Sequence, residues 1–295
     1  MIINAGNLKT LYVAFKASFQ GGLGQAAPLY NMVATTVPST TGSEEYGWLG
    51  KLPSMREWVG DRVINGIASS GYTIKNKPYE LTIGVPRANI EDDQYGVYSP
   101  LFTEMGRSAA AHPDELVFGA MAANGNCYDG QAFFSATHPV LNANGKSANQ
   151  SNDLGGAGTA WYVLDNSRAL KPMIFQQRKS PNFVAKDRET DDNVFDRAEF
   201  RYGIDARNNV GYGFWQMAVR SQQALDETGL TNAITKLTSR TADYGRPLGL
   251  AGTHIVVPPT LEFAATALLK NAFNAAGATN TLAGRLQIIV SPWLS

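Results

Sequence analysis

YTIKNKPYELTIGVPRANIEDDQYGVYSPLFTEMGRSAAAHPDELVFGAMAANG, residues 72–125, sets an alternating extended segment, an acidic break and a long helix in that order. Tyr79, Leu81, Ile83 and Val85 alternate with Glu80, Thr82, Gly84 and Pro86, the period-two pattern of a strand that buries one face and leaves the other polar. Glu91-Asp92-Asp93 and Gly96 break the strand. Ser99 then offers a helix N-cap, and Pro100 falls at the one helical position that tolerates proline. From Leu101 the pattern runs helical through Met105, Ala109 and Leu116, with Pro113 removing one backbone donor and Gly125 placed to stop it. About 24 residues at ~1.5 Å each make a rod of roughly 36 Å, which suits a flat, elongated subunit.

On the N-terminal side, Leu8, Leu11, Tyr12, Phe15 and Phe19 share one face at helical spacing before Gly21, Gly22 and Gly24, which are expected to end the helix and serve as a hinge. Such a helix packs on its own domain or docks on a partner. Residues 43–72 interleave Tyr46, Trp48, Leu49, Trp58, Val59, Val63 and Ile64 with Glu44, Glu45, Lys51, Arg56, Glu57, Asp61 and Arg62. A two-stranded extension of that composition cannot bury its own apolar residues and is expected to pack on a neighbour, the alternative being an ordinary sheet edge.

On the C-terminal side, NANGKSANQSNDLGGAG at 142–158 contains Leu154 as its one sizeable apolar residue and reads as a surface loop or mobile flap. Trp161 to Leu164 reads as a short strand, and Ile174 with Phe175 continues the sheet. Lys186 to Arg201 is densely charged with both signs, a solvated or subunit-facing surface. Tyr212, Phe214 and Trp215, punctuated by glycines, read as a strand under close approach. Ile255 to Val257 is a buried strand stopped by Pro258-Pro259, an amphipathic helix follows from Leu261 to Phe273 with Gly277 as its cap, and Leu286, Ile288 and Val290 mark a last strand. The whole is mixed α+β without repeats.

The chain has 295 residues, enough for one elaborated domain or two joined subdomains. Lys plus Arg equals Asp plus Glu at 25 each, so no global basic field points to tight nucleic-acid binding. The start, MIINAGNLKT, lacks the pattern of a secretory leader, and no apolar run is long enough to span a membrane. The single Cys127 agrees with a reducing compartment.

Signals for chemistry are sparse. Cys127, with Asp129 two residues on and His138 eleven on, is the one nucleophile candidate, and in a chain with three histidines that spacing arises readily by chance. His112, His138 and His254 are too scattered for a metal motif. The carboxylates at 91–93 and at Asp191-Asp192 lack calcium-loop spacing, and Gly21, Gly22 and Gly24 lack the lysine of a phosphate loop. No catalytic residue, cofactor or metal site is assigned.

A co-linear set of phrases resembles the major head subunits of Mu-like bacteriophages: FQGG at 19–22, YGWLGKLP at 46–53, REWVGDR at 56–62, EMGRSAA at 104–110, PDEL at 113–116, CYDGQAFF at 127–134, HPV at 138–140 and GYGFWQ at 211–216, followed by HIVVPP and SPWL near the end. The resemblance covers nearly the whole chain. It implies an α+β fold of the Hong Kong 97 capsid type, with an N-terminal arm (1–42), an extended loop (43–77), a peripheral domain with its spine helix at about 99–124 and the Gly/Asn-rich loop (78–160), and a mainly axial domain that returns to the peripheral sheet (161–295). It further implies pentamers and hexamers tiling an icosahedral head around double-stranded DNA, assembled in the host cytoplasm, with scaffold and portal proteins as partners, a decoration protein as a further one, and weak non-specific DNA contact. Under that reading Leu8, Leu11, Tyr12, Phe15 and Phe19 lie on an adjacent subunit. Trp48 and Trp58 become anchors, of the residue type whose truncation at interfaces costs at least about 2 kcal/mol. Lys51, Arg56, Glu57, Asp61 and Arg62 set register. Some relatives crosslink lysine to asparagine, but Lys51 has no assignable catalytic carboxylate, so no crosslink is expected. The alternatives are a nanocompartment shell of the same fold that encloses a cargo enzyme, and a Cys127/His138 hydrolase.

Overall fold

The computed structural model describes residues 2–49, 71–92 and 94–294. Helix α1 (Ala5–Gln25) leads through α2 (Tyr30–Val33) into β1 (Ala34–Pro38); β2 (Ser43–Glu45) pairs with β3 (Thr73–Lys75), and β4 (Lys77–Pro86) and α3 (Arg87–Glu91) lead to the 25-residue α4 (Ser99–Ala123). Strands β5 (His138–Leu141) and β6 (Ser147–Gln150) form a hairpin, followed by β7 (Asp153–Gly156) and β8 (Trp161–Leu164). The long strands β9 (Met173–Lys186) and β10 (Glu199–Tyr212) enclose α5 (Asp192–Arg197), and β11 (Ala218–Gln222), α6 (Glu227–Thr238), β12 (His254–Val257), α7 (Glu262–Lys270) and β13 (Gln287–Val290) complete the chain.

Two sheets carry the architecture. One runs β1-β9-β10-β4, with β1 parallel to β9 and the rest antiparallel; the other runs β13-β12-β8-β11-β7. Residues 161–295 therefore contribute to both sheets, through β9 and β10 to the first and β8, β11, β12 and β13 to the second. One apolar cluster lies between the first sheet and helices α1 and α4, around Phe15, Phe102, Phe183 and Tyr202. Two more flank the second sheet, one including Trp161, Val257 and Leu237 and the other Phe118, Phe133 and Trp215.

The decisive stretch forms a strand and a long helix, but the acidic cluster does not break the strand: β4 ends at Pro86 and α3 (Arg87–Glu91) comes between it and Asp92. Val85 is buried and Tyr79 and Ile83 are half-buried, but Leu81 on the same face is exposed, as are Glu80, Thr82 and Gly84 on the other. Ser99 is the first residue of α4 and not its cap, which is Tyr98 and makes no side-chain capping bond; Pro100 sits in the first turn and Pro113 lies inside the helix. The helix stops one residue before Gly125, at Asn124, whose left-handed conformation (φ 50°) asparagine tolerates. Tyr212 closes this end: its hydroxyl donates to the Ala120 carbonyl at 2.8 Å and accepts from the Gly125 N–H at 2.6 Å.

Four local expectations are corrected. Helix α1 does not end at Gly21; it continues through all three glycines to Gln25. A Cβ on Gly22 would lie 2.0 Å from the Thr103 carbonyl oxygen, and one on Gly106 2.1 Å from that of Phe19, so these glycines let two helix backbones meet. The 142–158 stretch is not a loop: it turns β5 into β6 and supplies β7, which pairs with β11 and is held by a 2.5 Å ion pair from Arg220 to Asp153. Strand β10 ends at Tyr212, and Trp215 stands in a 3-10 turn. Helix α7 stops at Lys270, short of Phe273, while Gly277 serves a separate turn in which its N–H donates to the Asn274 carbonyl.

Candidate functional site

The cluster around Cys127 and the surfaces expected to meet other molecules are the two places where the chain could act. The chain leaving α4 folds back as a short loop in which the Asp129 carboxylate accepts from the Gln131 N–H (3.0 Å). That turn brings Cys127, Asp129 and His138 together, with Cys127 Sγ 2.9 Å from Asp129 Oδ1 and His138 Nδ1 2.6 Å from Asp129 Oδ2. The carboxylate thus stands between thiol and imidazole. His138 is fully buried and stacked on Trp215, ring centroids 3.9 Å apart and planes 5° from parallel. Its Nε2 faces the Phe133 carbonyl and Asn152 Oδ1, both at 3.2 Å. Asn152 is itself fixed, since its Nδ2 donates to Phe133 (2.7 Å) and its Oδ1 accepts from the Ser135 N–H (2.8 Å).

This geometry opposes nucleophilic chemistry. A thiol is activated when an imidazole takes its proton, and both ring nitrogens of His138 are already committed to oxygen atoms. Burial, followed by the hydrogen bond to Asp129, pushes the Cys127 thiol well above its ordinary value, away from the reactive thiolate. Burial also pushes Asp129 upward, but hydrogen bonds from His138, Cys127 and Gln131 outweigh it and hold the carboxyl below its ordinary value. The three donor groups are the one set among the described residues that brings candidate metal ligands together. Their spacings of 2.6 and 2.9 Å are hydrogen-bond distances, shorter than the ~3.3 Å that nitrogen and oxygen ligands each ~2.0 Å from a tetrahedral zinc would keep. The cluster is a clamp tying the end of α4, β5 and the Trp215 turn. Arg240, also buried, braces the same turn by donating to the carbonyls of Trp215, Gln216, Ala218 and Ser151. Asn152 and Arg240 carry no local sequence signal, because most of their partners lie tens of residues away.

The expected contact surfaces divide. Leu8, Leu11, Phe15 and Phe19 are buried against the chain's own α4 and first sheet, with Phe15 stacked on Phe102 at 4.2 Å, which corrects the reading that places them on an adjacent subunit. Tyr12 is half-buried and donates its hydroxyl to the Phe183 carbonyl (3.1 Å). Trp48 packs between Tyr46 and Phe214, with ring centroids 5.9 Å from each. Lys51, Arg56, Glu57, Trp58, Asp61 and Arg62 lie outside the described residues. Large exposed apolar side chains stand elsewhere, with Phe195 on α5 84% and Phe263 on α7 82% exposed. Neither was singled out from the sequence, since an isolated phenylalanine on a short helix looks like a core residue.

No described helix is long and apolar enough to cross a membrane. Residues 8–294 match the family model described as Mu-like prophage major head subunit gpT. The chain is 44% identical, over 305 aligned residues and the full length of both sequences, to the major capsid protein of Escherichia phage Mu. Among solved structures it resembles a chain of the bacteriophage JBD30 procapsid at 43% identity and a TM-score of 0.88, covering 99% of this chain and 100% of the other. It also resembles a chain of the JBD30 capsid decorated with minor capsid protein trimers, at 33% identity and a TM-score of 0.78 over 94% of each.

Proposed function

The chain belongs to the Mu-like prophage major head subunit family, as a major capsid protein of the virion, and we propose that its copies close as rings of five and six into an icosahedral head around double-stranded DNA. The α+β fold is accordingly of the Hong Kong 97 type. The observation that carries the proposal is the end-to-end likeness to the JBD30 procapsid subunit, which extends over both sheets and the long helix α4. Heterologous contacts that close make rings. Each contact need be only modest, because a subunit touching several neighbours is held by all of them at once.

Within such a shell, Trp58 supplies an anchor and Lys51, Arg56, Glu57, Asp61 and Arg62 set register against a neighbour. The balanced charge fits weak contact with packaged DNA, since a lining that neutralised many phosphates would hold the genome in a salt-dependent way. Scaffold and portal proteins guide assembly, and a minor protein decorates the finished head, as the JBD30 capsid is decorated. The chain performs no catalytic step: the Cys127 cluster supports a hydrolase poorly, for the reasons of proton access given above. A nanocompartment shell is not favoured, because the similar proteins named above are phage head subunits.

Negative-stain electron microscopy with light scattering, on the purified chain with and without its neighbouring head proteins, tests the assembly. Rings, tubes or closed shells are expected. A stable monomer under every condition would refute the reading.

A further inference from the structure

We infer that His138 is held in the folded chain as an imidazolium, a buried cation paired with Asp129, so that the joint between α4, β5 and the Trp215 turn closes on one captured proton and loosens in mild alkali. The inference concerns the single subunit and does not depend on how copies assemble.

A neutral imidazole carries one N–H and one lone pair, so one of its two nitrogens needs a donor opposite it. His138 meets none. Its Nδ1 lies 2.6 Å from Asp129 Oδ2, and its Nε2 lies 3.2 Å from both the Phe133 carbonyl and Asn152 Oδ1. The one ambiguous partner is the Asn152 amide, whose oxygen and nitrogen are told apart by their own neighbours. Those neighbours fix it. The nitrogen end reaches two carbonyls, of Phe133 at 2.7 Å and Trp215 at 3.2 Å, and the oxygen end accepts from the Ser135 N–H at 2.8 Å. Turning the amide over would set oxygen against oxygen at Phe133 and Trp215, and donor against donor at Ser135. Each of the three atoms that the ring nitrogens face is therefore an acceptor, and both nitrogens carry hydrogen.

The extra proton belongs on the ring and not on the carboxylate. Asp129 Oδ1 already accepts from the Gln131 N–H (3.0 Å) and the Cys127 thiol (2.9 Å), bonds that favour the ionised carboxyl. The loop after α4 brings Cys127, Tyr128 and Asp129 to this joint, and burial pushes the thiol and the phenol up, so both stay neutral. The rest of β5 and Asn152 add no ionisable group. Arg240 reaches the joint only across Trp215, its guanidinium carbon 5.2 Å from the ring centroid. Of these groups Asp129 is the one anion, and the imidazolium is its partner. Losing the proton would turn a lone pair on Nε2 toward two oxygens and strand the buried carboxylate, and that cost falls on the joint itself.

In the unfolded chain an ordinary histidine is neutral above about pH 6.5, so folding in mild alkali takes up one proton and stability falls as pH rises. Burial lowers His112 and His254, which enter the fold neutral and add nothing to that slope.

Nitrogen-15 NMR of the imidazole rings in the unassembled chain, at about pH 7.5, tests the protonation directly. The chain has three histidines, so loss of one set of signals in His138→Gln assigns the ring; should that variant not fold, Overhauser contacts to the stacked Trp215 assign it instead. Both His138 nitrogens are expected in the protonated range, each with a slowly exchanging hydrogen. One nitrogen in the unprotonated, pyridine-like range would overturn the inference. In urea, the wild-type unfolding constant is expected to rise about eightfold from about pH 7 to about pH 8, and that of His138→Gln to stay within about twofold. A wild-type constant that stays level over that range would also overturn it, and the head-subunit reading would stand untouched.

Discussion

Gly22→Ala and Gly21→Ala, two substitutions one residue apart on α1, are expected to change stability in opposite directions. Gly21 has no heavy atom within 4 Å of an added Cβ, so alanine there meets open space and gains helix propensity, stabilising by up to about 1 kcal/mol. At Gly22 the added Cβ would lie 2.0 Å from the Thr103 oxygen and 2.8 Å from its carbonyl carbon, both backbone atoms of α4 that cannot swing aside. Restoring ordinary contact requires the helices to part by about 1.4 Å, and a gap of even ~0.5–1 Å forfeits a quarter to a half of a dispersion contact. The face that would lift away carries Leu8, Leu11, Phe15 and Phe19, all buried. At about 1.5–3 kcal/mol each for full burial, losing a quarter costs about 1.5–3 kcal/mol. After the propensity gain, Gly22→Ala is expected to be about 0.5–2 kcal/mol less stable than wild type, and some 1.5–3 kcal/mol below Gly21→Ala. Urea denaturation of the unassembled chain, followed by far-ultraviolet circular dichroism, measures this directly. If the two variants unfold within about 0.5 kcal/mol of each other, the close backbone crossing of α1 and α4 is wrong.

Three further perturbations probe separate contacts. His138→Ala removes the partner of the buried Asp129 carboxylate and the ring stacked on Trp215, and is expected to cost about 3–5 kcal/mol in denaturant, with a loss below ~1 kcal/mol contradicting the clamp. Asp114→Ala strips the carboxylate that accepts from the N–H groups of Leu29 (2.9 Å) and Tyr30 (2.6 Å) at the start of α2; about 1–3 kcal/mol of destabilisation is expected, less for Asp114→Asn, and equal losses would show that the charge matters more than the acceptor. Hydrogen bonds from the Ser39 side chain and the Thr40 and Thr41 backbone lower the Glu44 carboxyl from its ordinary 4.5 to about 2, so its contribution to stability is present above pH 4.5 and is lost as pH falls toward 2. Carboxyl-selective NMR titration should find it there and should find it raised in Ser39→Ala; a midpoint at 4.5 in wild type would disprove the bonding.

Elements whose signal is local were readable from the chain itself. The alternation from Tyr79 to Val85 reports a one-sided strand because side chains point to opposite faces at every second residue, and β4 is that strand. Ser99-Pro100 reports a helix start because proline's missing N–H costs nothing in the first turn, and α4 begins there. The membership of the chain was also legible, carried by phrases such as CYDGQAFF that persist in order along its length.

What failed from sequence failed wherever a distant partner decides. Gly22 looks like a helix terminator because glycine is locally a poor helix former, yet α1 runs on because a backbone some eighty positions away needs the space a Cβ would fill. Residues 142–158 look like a flap because asparagine, glycine and serine bury little, yet β7 is ordered by pairing with β11 and by Arg220. Cys127 and His138 suggest a dyad by type alone, whereas the fold inserts Asp129 between them and commits both imidazole nitrogens. Periodicity and capping act within a few residues and are written into the chain; close approach, strand pairing at an edge and the protonation of a buried cluster depend on which atoms the completed fold brings within a few ångströms, and so only the tertiary structure decided them.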